Sequence, residues 1–290
     1  MDGSRTARYV ALFRALETAR RTGRLFDDPY AAAFLSRRHR LVAELARVPA
    51  LGGRLERYID RRWPGLHTSA VVRTRLIDDL VSEALLEGAE QVVLLGAGYD
   101  SRAYRLPGMA DRRVFEVDRP STQAVKQRLL GTRLSADRRD HVRFVPADLI
   151  HDDLGTALLA AGYDPARDTV VVWEGVTNYL TEAAVDRTVR KLAALTPAGS
   201  RLIVTYVDRA VLDGTADDAG VARWRAAVGA GGEPWTFGFD PADLERFLAD
   251  RGMTLVVDLS AADAARRYLV PLQRHEPAAP FYRIAMARTA

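Results

Sequence analysis

The chain of 290 residues contains no cysteine. Disulfides, thiolate nucleophiles and cysteine-ligated metals are therefore excluded. Lysine is nearly missing as well: Lys126 and Lys191 are the only two, and arginine carries the basic charge. The net charge is only +4, with arginine spread from end to end among 38 acidic residues. A nucleic-acid binder concentrates its charge in a stripe or tail, so no nucleic-acid partner is expected. No stretch has the length and apolarity of a membrane span. The opening residues, MDGSRTARYVALFRALE, lack the continuous apolar run of a signal peptide. A cytoplasmic address without membrane contact is the expectation. No His-Glu-x-x-His pattern, no Gly-x-Ser-x-Gly elbow and no P-loop lysine occurs, and the five histidines are scattered, so no metal site is expected.

What is present reads as an ordinary globular chain, 48% hydrophobic and 28% charged. Residues 1–88 read as a helical N-terminal extension. Tyr9, Leu12, Phe13 and Leu16 fall at helical spacing, and Ala31, Phe34 and Leu35 follow the helix-start signal Asp28-Pro29. Pro49 to Gly53 reads as a break, and a helix over Ala70–Leu86 ends at Gly88. From 89 to 290 short apolar runs alternate with helical segments. The runs are Gln91–Leu95, Arg113–Val117, Val142–Pro146, Thr169–Trp173, Ser200–Val207 and Thr254–Leu259. The helices between them are Ser121–Leu130, Leu154–Ala161, Glu182–Leu195 and Pro241–Arg251. This alternation predicts an α/β fold: a doubly wound, mostly parallel, Rossmann-like sheet forming one catalytic unit. Phe281–Ala287 is expected to add an edge strand, with antiparallel pairing as an option, and Gly229–Pro234 to form a loop.

The most informative stretch is Leu94-Leu95-Gly96-Ala97-Gly98-Tyr99-Asp100, a strand running into glycines. Ligands bind beyond the carboxyl ends of such strands, and glycine lets the backbone approach them. The dinucleotide fingerprint wants a third glycine, but Ser101 stands there, and Asp100 would repel a pyrophosphate. A cofactor with positive groups and no phosphate, S-adenosylmethionine, tolerates that acid. Asp118 lies twenty residues past Gly98, where a carboxylate takes ribose hydroxyls; NAD enzymes share this feature. Glu116 points to the other face of its strand and reads as structural. Asp148 ends the third strand, placed to accept from the adenine amino group or to cap a helix, with Leu149 beside the ring. Glu174 to Leu180 follows the fourth strand.

Several of these pieces together resemble the leucine carboxyl methyltransferase-like enzymes. They are similar above all to the bacterial branch of S-adenosylmethionine-dependent methyltransferases, which includes carboxyl and hydroxyl methyltransferases of natural-product pathways. The matching pieces are Arg14-Ala15-Leu16-Glu17, Asp28-Pro29-Tyr30, Val72-Arg73-Thr74-Arg75, Leu95 through Arg102, Phe115-Glu116-Val117-Asp118, Ala147-Asp148-Leu149 and Glu174 through Leu180. They run in order from residue 14 to 180; beyond about residue 208 the match is loose. The resemblance implies a class I methyltransferase fold and S-adenosyl-L-methionine as cofactor. It implies that Arg73 pairs with the cofactor carboxylate, with Gly96, Ala97 and Gly98 along its methionine part. It further implies Asp118 at the ribose, Asp148 and Leu149 at the adenine, and Glu174 at the ammonium. An ion pair of Arg73 with Asp78 or Asp79 is the competing role, and Arg75 is a possible substitute for it. The resemblance also implies a basic residue from the N-terminal segment, with Arg14, Arg20 and Arg21 as candidates.

Methyl transfer from a sulfonium needs alignment more than it needs an acid or a metal. A carboxylate acceptor needs no base, whereas a phenol or alcohol usually does. His67, His151, Tyr179 and Tyr206 are the candidates for such a group, each with a packing or surface role as the simpler alternative. Arg75 and Arg102 are candidates for orienting an anionic acceptor, and Trp224, Trp235 and Phe237 for shaping its pocket. The expected activity is O-methylation, with a carboxylate favoured, on a small molecule or a peptide terminus. The alternatives are a hydroxyl methyltransferase, an NAD(P)-dependent oxidoreductase, or a protein that binds the cofactor without methylating.

Overall fold

The structure is a computed structural model that describes residues 5–216, 221, 224 and 234–290. The expected loop at Gly229–Pro234 lies, apart from Pro234, outside the described residues. Four helices open the chain: α1 (Arg5–Ala19), α2 (Arg37–Leu45), α3 (Pro49–Arg62) and α4 (Leu66–Leu86). The strands that follow are β1 (Gln91–Leu95), β2 (Arg113–Asp118), β3 (Val142–Pro146), β4 (Thr169–Trp173), β5 (Arg201–Val207), β6 (Met253–Ser260) and β7 (Tyr282–Thr289). Between them come α5 (Arg102–Arg105), α6 (Pro120–Gly131), α7 (Leu154–Ala160), α8 (Glu182–Leu195), α9 (Arg209–Asp213), α10 (Pro241–Ala249) and α11 (Ala261–Leu269).

The seven strands form one sheet in the order β3-β2-β1-β4-β5-β7-β6. β1 pairs in parallel with β2 on one side and β4 on the other. The chain thus winds outward in both directions from β1, and a crevice opens beyond the carboxyl ends of β1 and β4. Side chains alternate between two cores. Val92 and Leu94 join the core under α1, α4 and α11; Val93 and Leu95 join the core under α7, α8 and α10. Every residue of β1, β4 and β5 is buried, which is why their runs are predominantly apolar without alternation.

Side-chain caps fix where the helices between strands begin. Thr181 caps α8, Asp153 caps α7 and Asp240 caps α10, each accepting from a backbone N–H of the first turn. Ser260 and Asp263 form a reciprocal capping box on α11. α4 is buried along most of its 21 residues, because it lies between the sheet and the helices α1, α3 and α11.

Three local expectations change. Pro49 to Gly53 is not a break but the start of α3: Pro49 occupies the first turn, where its missing N–H costs nothing. Gly52 is required there, since a Cβ would stand 2.5 Å from the carbonyl oxygen of Ala46. Tyr9, on the expected apolar stripe, is 45% exposed. β7 is antiparallel but lies inside the sheet, between β5 and β6. Its run Ile284-Ala285-Met286-Ala287 is buried throughout and needs cover on both faces, whereas β6 shows the mixed exposure of an edge.

Candidate active site

The carboxyl ends of β1 and β4 open into a cavity of about 560 Å³. Gly96 and Gly98 form its floor with positive φ, +63° and +41°, a region that favours glycine. A Cβ on Gly96 would meet Val176 Cγ2 at 2.4 Å, so the turn after β1 and the segment after β4 touch only because that side chain is absent. The turn is tied to β2 by two bonds: Ala97 N–H donates to Val117 O (3.0 Å) and Gly98 N–H to Asp118 Oδ2 (2.6 Å). Beneath it lies Lys126 of α6, buried, with Nζ 2.7 Å from Glu116 Oε2 and 3.4 Å from Ala97 O. Burial pushes the Glu116 carboxyl up, and Tyr104 also donates to it. One of the chain's two lysines thus supports the turn from below, and Glu116 has the structural role its strand position indicated.

A continuous ion-pair chain forms one wall. Arg14 and Arg105 meet Asp28; Arg105 and Arg102 meet Asp78; Arg102 also meets Asp100 and Glu174; Arg73 closes on Glu174 at 2.7 Å. Four arginines are balanced by four carboxylates, so burial leaves no charge of this chain alone. Burial alone would raise the Glu174 carboxyl, but Arg102 and Arg73 outweigh it and hold the group below its ordinary range. Asp100 is shifted the same way: Arg102 and Arg14 overcome the effect of burial. The acid in the glycine turn is therefore neutralised within the protein. Arg73 also donates from Nη1 to Tyr282 OH (2.8 Å), while its Nη2 lies beside Gly175 with no hydrogen bond among the described residues.

The cavity brings together Arg73, Gly96, Ala97, Gly98, Asp118, Asp148, Leu149 and Glu174, which were named from the sequence. Asp118 does more than the sequence indicated. Its Oδ1 also accepts from Arg119 N–H (2.7 Å), so the carboxylate holds the turn's backbone and keeps further acceptor capacity. Asp148 accepts from Ile150 N–H and faces His151, and these bonds lower its pKa. Arg73 does not pair with Asp78 or Asp79; Asp79 pairs with Arg75 instead.

Other candidates lie elsewhere. Tyr206 is fully buried away from the cavity, its hydroxyl fixed between Asp258 and Arg283, and burial and Asp258 push its pKa up. His67 is buried behind Phe13 and packs edge-on against it at 5.4 Å; burial lowers its pKa, which keeps it neutral. The His151 side chain is 76% exposed. Among the described residues no histidine lines the cavity, and of the four candidates only Tyr179 does. Arg75 and Arg102 are committed to carboxylates and do not line it. Arg20 pairs with Glu56 and Glu276, and Arg21 is exposed, so of the three N-terminal arginines Arg14 reaches the cavity. Phe237 packs on Phe239 in the core rather than in the pocket.

The end of the cavity away from Asp118 is aromatic, with Phe13, Trp224, Trp235 and Tyr282 in its wall. Trp224 is anchored by Nε1–H to Pro64 O at 2.9 Å. Asn178 also faces this end, and sequence reasoning missed it. It is 2% exposed, and its Oδ1 is buried without a hydrogen-bond partner.

Known proteins match this architecture. Two solved structures share the fold. One is a protein from Thermobifida fusca described as a candidate methyltransferase, 19% identical, with a TM-score of 0.57 and coverage of 94% of this chain and 97% of that one. The other is a DUF574 family protein from Streptomyces avermitilis, 18% identical, with a TM-score of 0.59 and coverage of 96% and 97%. The fold is that of class I methyltransferases. The leucine carboxyl methyltransferase family model matches residues 7–193, and the chain belongs to that family. A relative from Frankia alni, named as a candidate S-adenosyl-L-methionine-dependent methyltransferase, is 37% identical over 273 residues, covering 93% of this chain and 90% of the relative. A similarly named protein of Streptomyces avermitilis is 39% identical over 214 residues, covering 74% and 72%. The protein is an S-adenosylmethionine-dependent methyltransferase, and the oxidoreductase alternative falls away. The donor set fits that cofactor: a buried arginine in the cavity wall, carboxylates at the ends of β2 and β3, and a glycine floor.

Proposed function

We propose that the protein methylates a carboxylate oxygen on a small molecule or a peptide terminus. Asp118 would hold the cofactor's ribose hydroxyls, Asp148 and Leu149 its adenine, Arg73 its carboxylate and Glu174 its ammonium, over the Gly96–Gly98 floor. α1 lines the cavity through Val10, Phe13 and Arg14, and the N-terminal helices would act as a cover that excludes water. When bound, S-adenosylmethionine supplies a methyl group on a positively charged sulfonium.

The observation that carries the choice of acceptor is the composition of the cavity wall. Among the described residues no imidazole reaches it. Its carboxylates Asp100 and Glu174 are held ionised by arginines as permanent partners rather than poised to take up protons. A carboxylate acceptor has no proton to lose at neutral pH, its pKa lying near 4. The aromatic end offers such an oxygen little solvation, which leaves it more nucleophilic than it is in water.

The test is incubation with methyl-labelled cofactor and matched sets of carboxylic acids, phenols and alcohols. Labelled methyl should appear on acids and leave as methanol in mild alkali, as esters do. The chemical step should be nearly flat from about pH 6 to 9, because no group titrating there must lose a proton. Alkali-stable methyl on nitrogen, carbon or a phenol, or a rising limb in that window, would overturn the carboxylate assignment.

A further inference from the structure

The chain uses lysine twice, and one of the two, Lys126, is 1% exposed. It sits on α6, and Gln123 one turn earlier fixes that helix by donating from Nε2 to Glu116 O (2.8 Å) and Val145 O (2.9 Å), on β2 and β3. Lys126 Nζ stands 2.7 Å from Glu116 Oε2 and 3.4 Å from Ala97 O, and Tyr104 OH donates to Glu116 Oε1 at 3.0 Å. Desolvation of an ammonium and a carboxylate offsets much of what their pairing contributes, so stability alone does not account for the pair. Its geometry supplies another reason. Ala97 O and Gly98 N belong to one peptide group, which is planar and trans, so its carbonyl and its N–H point in opposite directions. The carbonyl end meets Lys126, and the N–H end donates to Asp118 Oδ2 at 2.6 Å. Ala97, Gly98 and Asp118 line the cavity, and Lys126 does not. One peptide thus joins a sealed cation below the turn to a carboxylate in the cavity wall.

On the premise that Asp118 holds the cofactor's ribose hydroxyls, as proposed above, we infer that Lys126 is a positioning residue for cofactor binding. It fixes and polarises the Ala97–Gly98 peptide, and that peptide sets the Asp118 carboxylate for the ribose. A cation on the carbonyl oxygen draws charge from the amide, and the N–H at the other end becomes a stronger donor. Asp118 Oδ2 is held by this N–H and Oδ1 by Arg119 N–H (2.7 Å). The carboxylate is therefore oriented at both oxygens before the nucleoside arrives, and binding orders it little further. Lysine suits the position better than arginine, the chain's usual cation. A compact ammonium faces a carboxylate and a carbonyl at once, whereas the planar fork of arginine matches paired oxygens.

Calorimetry on the full chain compares S-adenosylhomocysteine with its 2′,3′-dideoxy analogue, which lacks the ribose hydroxyls. Wild type should bind the analogue about tenfold more weakly or worse. Lys126→Met should weaken S-adenosylhomocysteine about tenfold and the analogue less than about twofold, so that the two ligands draw level. Lys126→Met combined with Glu116→Gln leaves no unpaired buried acid and should behave in the same way. Thermal melts show which variants fold, and the combined variant decides where the single one does not. Failure of both to fold makes Lys126 a residue of the fold and overturns the positioning role. Equal weakening of the two ligands, or discrimination kept at the wild-type level, overturns it as well. If wild type binds the two ligands equally, the ribose role of Asp118 fails, and the positioning role with it. If Asp118→Asn removes the discrimination while the Lys126 variants keep it, the ribose role stands and the positioning role alone fails.

Discussion

Arg73 and Asp118 differ in what else they do, and their variants should differ accordingly. Arg73 is one of two arginines on Glu174, so Arg73→Ala leaves that carboxylate still paired with Arg102. Loss of one charged hydrogen bond to the cofactor carboxylate costs about 1.5–3 kcal/mol, roughly 10- to 150-fold in affinity for S-adenosylhomocysteine. Asp118 also holds two backbone N–H groups, so Asp118→Asn is the cleaner change than alanine, and a loss in the same range is expected. Calorimetry reads both; wild-type affinity in both variants would contradict the residue map. The spacing of Asp118 and Asp148 to the strand ends made them legible in the sequence, because in a parallel sheet the strand end is the site. Asn178 was not legible. Its Oδ1 is buried without a partner, and no sequence pattern records that. The pairing of Arg73 was hidden for a related reason, since Glu174 lies 101 residues away while Asp78 and Asp79 are close in the chain.

At the scale of elements, the strands were legible because β1, β4 and β5 are buried on both faces and are apolar at most positions, without alternation. The position of β7 was not, since antiparallel insertion depends on which neighbour is left open. The start of α3 was hidden by Gly52-Gly53, of which Gly52 serves a close approach to the end of α2. α3 also carries a pH-dependent strain. Asp60 faces Glu276 and Glu56, its Oδ1 has no partner, and burial followed by these like charges pushes its pKa up to about 6. The folded state therefore binds the proton more tightly than the unfolded chain, where the value is near 3.8. The destabilisation is absent below about pH 4, grows as pH rises, and is complete above about pH 6. Asp60→Asn should raise the Tm at pH 7.5 and leave it little changed at pH 4. Thermal melts across this range check it; a lower Tm at pH 7.5 would show that Asp60 is stabilising as an anion.

Over the whole molecule, the sheet sets one long cavity with two chemically different ends. The β1–β2–β3 side supplies carboxylates at strand ends, suited to a nucleoside, and the β4 side with β7 and Trp224 supplies aromatic rings. The ion-pair chain from Asp28 to Glu174 ties α1, α4 and α5 to the segments after β1 and β4, so these helices and the sheet share one site. Two motifs noted in the sequence, Arg14 with its neighbours and Asp28-Pro29-Tyr30, are joined in that chain. Each looked local, and only the fold brings them together.

The most direct measurement is a crystal structure of the protein with S-adenosylhomocysteine. The ribose hydroxyls should lie on Asp118, the adenine beside Asp148 and Leu149, and the amino-acid carboxylate within hydrogen-bond reach of Arg73. The sulfur should face Asn178 and the tryptophans. A nucleoside bound outside this cavity, or a sulfur turned away from its aromatic end, would contradict the account.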